Sequence, residues 1–170
     1  MRGQLTYTPQ LKHTLLIVKY RIYMDVCCLN RPLDDSQQDR IRLETEAILS
    51  IYRKCRVGEW LLISSEVIDL EIAKTPNIKR LEQLKLAISI AKEKIILANE
   101  IKQRVIELTE IGFKSFDAAH VASAEFGGVD VFLTTDDRLL KRSIKYSDQL
   151  RVKVSNPVQW FIDVSKTQGD

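Results

Sequence analysis

The spacing of apolar residues along this chain changes period several times, and each change marks a boundary between elements. Residues 15–18 and 20–24 are short runs rich in β-branched and aromatic side chains. The second leads straight into Asp25 and predicts the first central strand. Residues 30–36 carry loop chemistry. Over about residues 37–56, Ile41, Ala47, Ile48, Ile51, Tyr52 and Cys55 share one stripe, which predicts an amphipathic helix stopped near Gly58. Residues 60–63 read as a buried strand. Ser64-Ser65 then caps a helix on Val67, Ile68, Leu70, Glu71 and Ile72 that Pro76 breaks. A helix follows from Asn77 through Ile88, a short strand over 94–97, and a helix over 99–111 that Gly112 ends. Ser115 opens an alanine-rich helix, 116–126, closed by Gly127-Gly128. Residues 129–133 form a clear strand that turns at Thr134-Thr135-Asp136-Asp137 into a basic helix around 139–144. A last strand over 152–154 precedes a helix that Pro157 opens and that ends near Val164.

Strands alternating with helices predict an α/β fold, with a mainly parallel sheet covered on both faces. Composition narrows this little. The 170 residues suit one domain, and 45% apolar with 29% charged residues supports a packed core. Residues 1–19 lack a clear period and read as an N-terminal extension to a domain spanning 20–165. Three cysteines make an odd count without zinc-like spacing, so they read as thiols of a reducing, cytoplasmic compartment. No run approaches the roughly 20 apolar residues of a membrane helix, so no membrane association is expected.

The candidate chemistry is acidic. In open α/β sheets ligands bind beyond the carboxyl ends of the strands. Asp25 and Asp136 follow two of the predicted strands, Glu71 lies about two helical turns beyond a third, and Asp117 opens the alanine-rich helix. Four carboxylates on one rim would raise one another's pKa unless a cation joined them. Oxygen ligands of this kind select Mg²⁺ or Mn²⁺. Taken singly, each acid also fits a turn, a helix dipole or a solvated face. A phosphate-transferring hydrolase of the Asp-x-Asp type would need an acid where Cys27 stands, and phosphate-binding glycine loops are absent.

The segments Tyr23-Met24-Asp25-Val26-Cys27-Cys28-Leu29-Asn30, Phe116-Asp117-Ala118-Ala119-His120-Val121-Ala122 and Leu133-Thr134-Thr135-Asp136, with Glu71 between them, resemble the acidic motifs of PIN domains over roughly residues 20–155. The length is similar to that of the toxin subunits of VapBC-type toxin–antitoxin pairs. The resemblance implies a three-layer α/β/α sandwich and a Mg²⁺- or Mn²⁺-dependent endoribonuclease. Asp25, Glu71, Asp117 and Asp136 take the metal-binding positions, and Thr134 that of a hydroxyl supporting Asp25. It also implies single-stranded or loop RNA as substrate, a cognate antitoxin protein and a homodimer. Cys27 departs from the Ser, Thr or Asn of many relatives. A PIN-like module that binds RNA or protein without cutting is the alternative.

Neighbouring residues compete for these roles. Asp137 is the alternative to Asp136. Glu66 reads as a first-turn cap, and Asp69 lies ~160° round its helix from Glu71. His120, three residues after Asp117, reads as a satisfied, partly buried histidine. Asn30 fits either an orienting partner of Asp25 or a phosphate, or an ordinary loop residue. An acidic site needs flanking cations to hold a polyanion, and Arg31, Lys114 and Arg138 are the candidates. Lys141 and Arg142 fit a solvated helix face equally well. Trp60 and Trp160 read as core.

Overall fold

The computed structural model describes residues 20–167, so the expected extension over 1–19 lies outside the described residues. Five strands, β1 (Arg21–Met24), β2 (Leu61–Ser65), β3 (Glu93–Ile95), β4 (Val131–Leu133) and β5 (Lys153–Ser155), form one parallel sheet in the order β3-β2-β1-β4-β5. Eight α-helices connect and cover them: α1 (Val26–Asn30), α2 (Asp39–Arg56), α3 (Glu66–Ile72), α4 (Ile78–Ile88), α5 (Asn99–Glu110), α6 (Ser115–Phe126), α7 (Asp137–Lys145) and α8 (Pro157–Lys166).

The alternation of side chains across β1 separates the two helical layers. Met24 points into a groove formed with Ile48 and Tyr52 of α2 and Ala87 of α4. Tyr23 points the other way and meets His120 of α6. The result is a three-layer α/β/α sandwich with Ile22, Tyr23, Met24, Ile63, Phe132 and Leu133 fully buried at its centre. The sheet is fully parallel, and its centre is buried from both sides. Trp60 and Trp160 meet edge to face at 5.1 Å between ring centroids, each also 5.4 Å from Tyr20, and both indoles are core.

Several boundaries differ from the sequence reading for local reasons. The loop expected over 30–36 opens as the end of a short helix and a 3₁₀ turn (Arg31–Leu33): the Asp25 carbonyl accepts the N–H groups of Cys28 and Leu29 to start the helix, and the Arg31 carbonyl accepts the Asp34 N–H to close the turn. Strand β2 runs on to Ser65, since Ser64 and Ser65 pair with β3; only Ser65 caps α3, its hydroxyl accepting from Ile68 N–H. Strand β4 starts at Val131, two residues late, because Asp130 folds back to accept the Arg21 N–H. Among the described residues no helix is long and apolar enough to cross a membrane.

The order of the strands places the functional crevice. The chain steps from β1 to β2 to β3, then returns to β4 on the other side of β1. The connections therefore diverge between β1 and β4, and a crevice opens at the carboxyl ends of those two strands.

Candidate metal centre

Asp25 sits at that switch point. Its N–H donates to the Leu133 carbonyl at 2.9 Å, which ties the end of β1 to the end of β4. One carboxylate oxygen, Oδ2, is held by two donors, the Thr134 hydroxyl at 2.8 Å and the Cys27 thiol at 3.2 Å. The Thr135 N–H in turn donates to the Cys27 sulfur. A thiol is a weaker donor than a hydroxyl, so Thr134 is the firmer of the two supports. The other oxygen, Oδ1, faces His120 Nε2 at 3.8 Å.

His120 is fully buried, and both ring nitrogens are engaged. Nε2 lies 2.5 Å from Glu71 Oε2, and Nδ1 lies 2.8 Å from the Tyr23 hydroxyl, which itself contacts Ser65 Oγ at 2.6 Å. Burial drives the Tyr23 phenol well above its ordinary pKa, so it remains a proton donor. The chain of groups accepts either neutral tautomer. With Nε2–H donating to Glu71, Nδ1 accepts from Tyr23. With Nδ1–H donating to Tyr23, the phenol donates to Ser65 and Nε2 presents its lone pair to the crevice.

The ligand atoms of Asp25, Glu71 and His120 all lie within 4.8 Å of one another. His120 is the residue that the sequence reading set aside as structural. The available signal was its i, i+3 spacing from Asp117, which puts both on one face of α6. The histidine is satisfied as expected, and satisfied by the acidic site itself.

Asp117 and Asp136 complete the surroundings. Asp117 is half-buried in the first turn of α6, and its carboxyl is pushed upward by burial first, then by the charges of Asp25 and Asp136. Asp136 caps α7, with Oδ1 accepting the N–H groups of Arg138 at 2.7 Å and Leu139 at 3.3 Å. Its own N–H donates to the Thr134 hydroxyl. Asp137 is drawn away from the crevice by a two-pronged contact with Arg40 at 2.7 and 2.8 Å.

Other candidates are committed elsewhere. Glu66 accepts the Leu97 N–H instead of capping its own helix, and Asp69 pairs with Lys94 at 2.7 Å. Asn30 donates to the Val26 carbonyl and accepts from Arg80 at 2.6 Å, and among the described residues it makes no hydrogen bond to Asp25. Arg31 pairs through Nε with buried Glu44 at 2.8 Å and through Nη1 with Asp34 at 3.3 Å, so its charge is already shared between two carboxylates. Lys114 and Arg138 are exposed and pair with no carboxylate among the described residues.

The donor set fits a divalent cation. Two carboxylates and an imidazole converge, further carboxylates stand beside them, and no lysine or arginine among the described residues forms an ion pair with Asp25, Glu71, Asp117 or Asp136. Mixed oxygen and nitrogen donors of this kind suit Mn²⁺ and related ions as well as Mg²⁺. Fold and site together define a PIN-like α/β/α sandwich carrying a potential metal-binding triad, consistent with a metal-dependent hydrolase. No protein-family model matches the chain, and no curated protein matches it significantly.

Proposed function

We propose that the protein is a divalent-metal-dependent endoribonuclease and the toxin of a toxin–antitoxin pair. The observation that carries this reading is the group Asp25–Glu71–His120 at the β1/β4 switch point, its ligand atoms within 4.8 Å and paired with no lysine or arginine among the described residues. The likeness of the four acidic segments to PIN motifs supplies the RNA and toxin parts of the proposal.

Asp25, Glu71 and His120 would hold the ion, with Asp117 and Asp136 adding charge from the adjoining wall. When bound, a divalent cation makes hydroxide available near neutral pH and stabilises charge on a phosphoryl oxygen. The chain's own residues prepare the geometry. Thr134 and Cys27 fix one oxygen of Asp25, so the other points inward. Tyr23 and Ser65 hold the His120 ring in place. Asp117 or Asp136, on the adjoining wall, would accept the proton of the attacking water as its oxygen bonds to phosphorus, and the departing oxygen would take up a proton from solvent as its own bond to phosphorus breaks.

A metal titration with a labelled single-stranded RNA tests the reading directly. Cleavage should require Mn²⁺ or Mg²⁺, stop with a chelator and disappear in Asp25→Asn. RNA binding without metal-dependent turnover would replace the nuclease by a non-cutting module. Induced expression should arrest growth, and Asp25→Asn should relieve the arrest; harmless expression of an active enzyme would remove the toxin part.

A further inference from the structure

A second feature opens beside the acidic crevice. Helix α7 and the segment leading into α6 enclose a cleft of about 380 Å³ whose lining includes Lys114, Arg138, Lys141, Arg142 and Lys145. Asp117 lies in the same lining and also feels the charges of Asp25 and Asp136, so the cleft runs into the acid cluster. None of the five cations pairs with a carboxylate among the described residues. Elsewhere arginines of this protein do: Arg21 with Glu93, Arg80 with Asp34, Arg104 with Glu125.

The cleft is built rather than incidental. Arg142 is half-buried, and its guanidinium donates to the Ile111 carbonyl at 3.2 Å, directly over Gly112. That glycine has φ +94°, and a Cβ there would collide with the guanidinium. Absence of a side chain at this position thus permits both the turn between α5 and α6 and the placement of the cation. The α7 cations follow the spacing i, i+3, i+4, i+7, so they line one face over about 10 Å of helix. Charges spread along a line suit a chain of phosphates better than one compact anion.

We propose that this cleft carries the phosphodiester backbone of a single-stranded RNA as it leaves the acid cluster, with half-buried Arg142 and the exposed Lys141 and Lys145 as its contacts. The proposal rests on the nuclease reading for its choice of RNA. Contacts of this type hold the strand without reading its sequence.

The test compares the full chain with Lys141→Ala/Lys145→Ala, both exposed positions, and with the exposed control Lys102→Ala on α5. Binding of an uncut RNA is followed by fluorescence anisotropy in an Asp25→Asn background across a salt series; cleavage is followed in the wild-type background. The double variant should lower the slope of log affinity against log salt by about 1.4, or roughly 0.7 per cation lost. KM should rise several-fold with kcat unchanged, while Lys102→Ala should match wild type. Active enzyme with an unchanged slope and KM in the double variant would overturn the cleft and leave the nuclease standing. Binding that depends on the two lysines, in a protein that never cuts, would uphold the cleft and remove the nuclease. Absence of RNA binding would sink the cleft, and tighter binding of a matched single-stranded DNA would overturn the choice of RNA.

Discussion

Two groups of carboxylates flank the carboxyl end of the sheet, and the fold treats them in opposite ways. In the first, Glu44 is 2% exposed on α2 and is met by Arg31, Arg40 and the Asn156 amide. Arg40 also grips Asp137 and the Thr135 carbonyl, and Asp34 pairs with Arg31 and Arg80. The Arg31 Nε lies 2.8 Å from Glu44 Oε2 but off the N–H axis, an ion pair without a hydrogen bond. In the second group, the ion pairs of Asp25, Glu71, Asp117 and Asp136 among the described residues are with His120 alone. Arginine is thus available on this rim and is directed to the first group alone. Acids neutralised from within serve the fold, whereas acids that form no ion pair with a lysine or arginine among the described residues leave room for a cation from outside.

The comparison predicts opposite responses to removing a charge. The largest is functional. Asp25→Asn should reduce metal-dependent turnover by roughly 10³-fold, about 4 kcal/mol of transition-state stabilisation, measured as kcat/KM. Next comes stability. Glu44→Ala leaves Arg31 and Arg40 without their buried partner and should cost about 3 kcal/mol in urea unfolding. If Glu44→Ala folds as stably as wild type, the first group is not the structural one.

A smaller effect belongs to the support of the site. Thr134→Val keeps the shape of the side chain and removes the donor that holds Asp25 Oδ2. Affinity for Mn²⁺ by calorimetry should fall about 10-fold or more. The Cys27 thiol retains a hydrogen bond to the same oxygen, so the loss should stay well short of that in Asp25→Asn.

How far the sequence reaches is itself explained by this contrast. The parallel sheet was legible because residues 20–24, 60–63 and 129–133 are short apolar runs between turn residues, a pattern set by burial on both faces. Strand ends were less so: Ser64 and Ser65 carry helix-cap chemistry, and pairing with β3 overrode it for Ser64. The acids at strand ends could be read from position alone, but partners distant in sequence could not. Nothing local to Asn30 or Arg31 announces Arg80, fifty residues on from Asn30, or the buried Glu44. His120 was set aside for the same reason, since its contacts come from β1 and α3. Local chemistry marks where a site can be; the identity of each neighbour depends on the crossing of elements.

The smallest predicted effect probes the second group without a cofactor. Asp117 has its carboxyl raised by burial and by Asp25 and Asp136. The folded chain therefore holds that proton more tightly than the unfolded one. Between the ordinary carboxylate range and the raised value, stability falls as pH rises, and the loss is complete above that window. Asp117→Asn removes the charge and should stabilise the metal-free protein near neutral pH by less than about 1 kcal/mol, because the half-exposed group is screened by solvent. The midpoint of thermal unfolding should rise by about 2 °C, and acidification through the carboxylate range should erase the difference. Saturating Mn²⁺ should reverse the order, stabilising wild type more than the variant. A lower midpoint for metal-free Asp117→Asn at neutral pH would place Asp117 with the first group, as an acid the fold already neutralises.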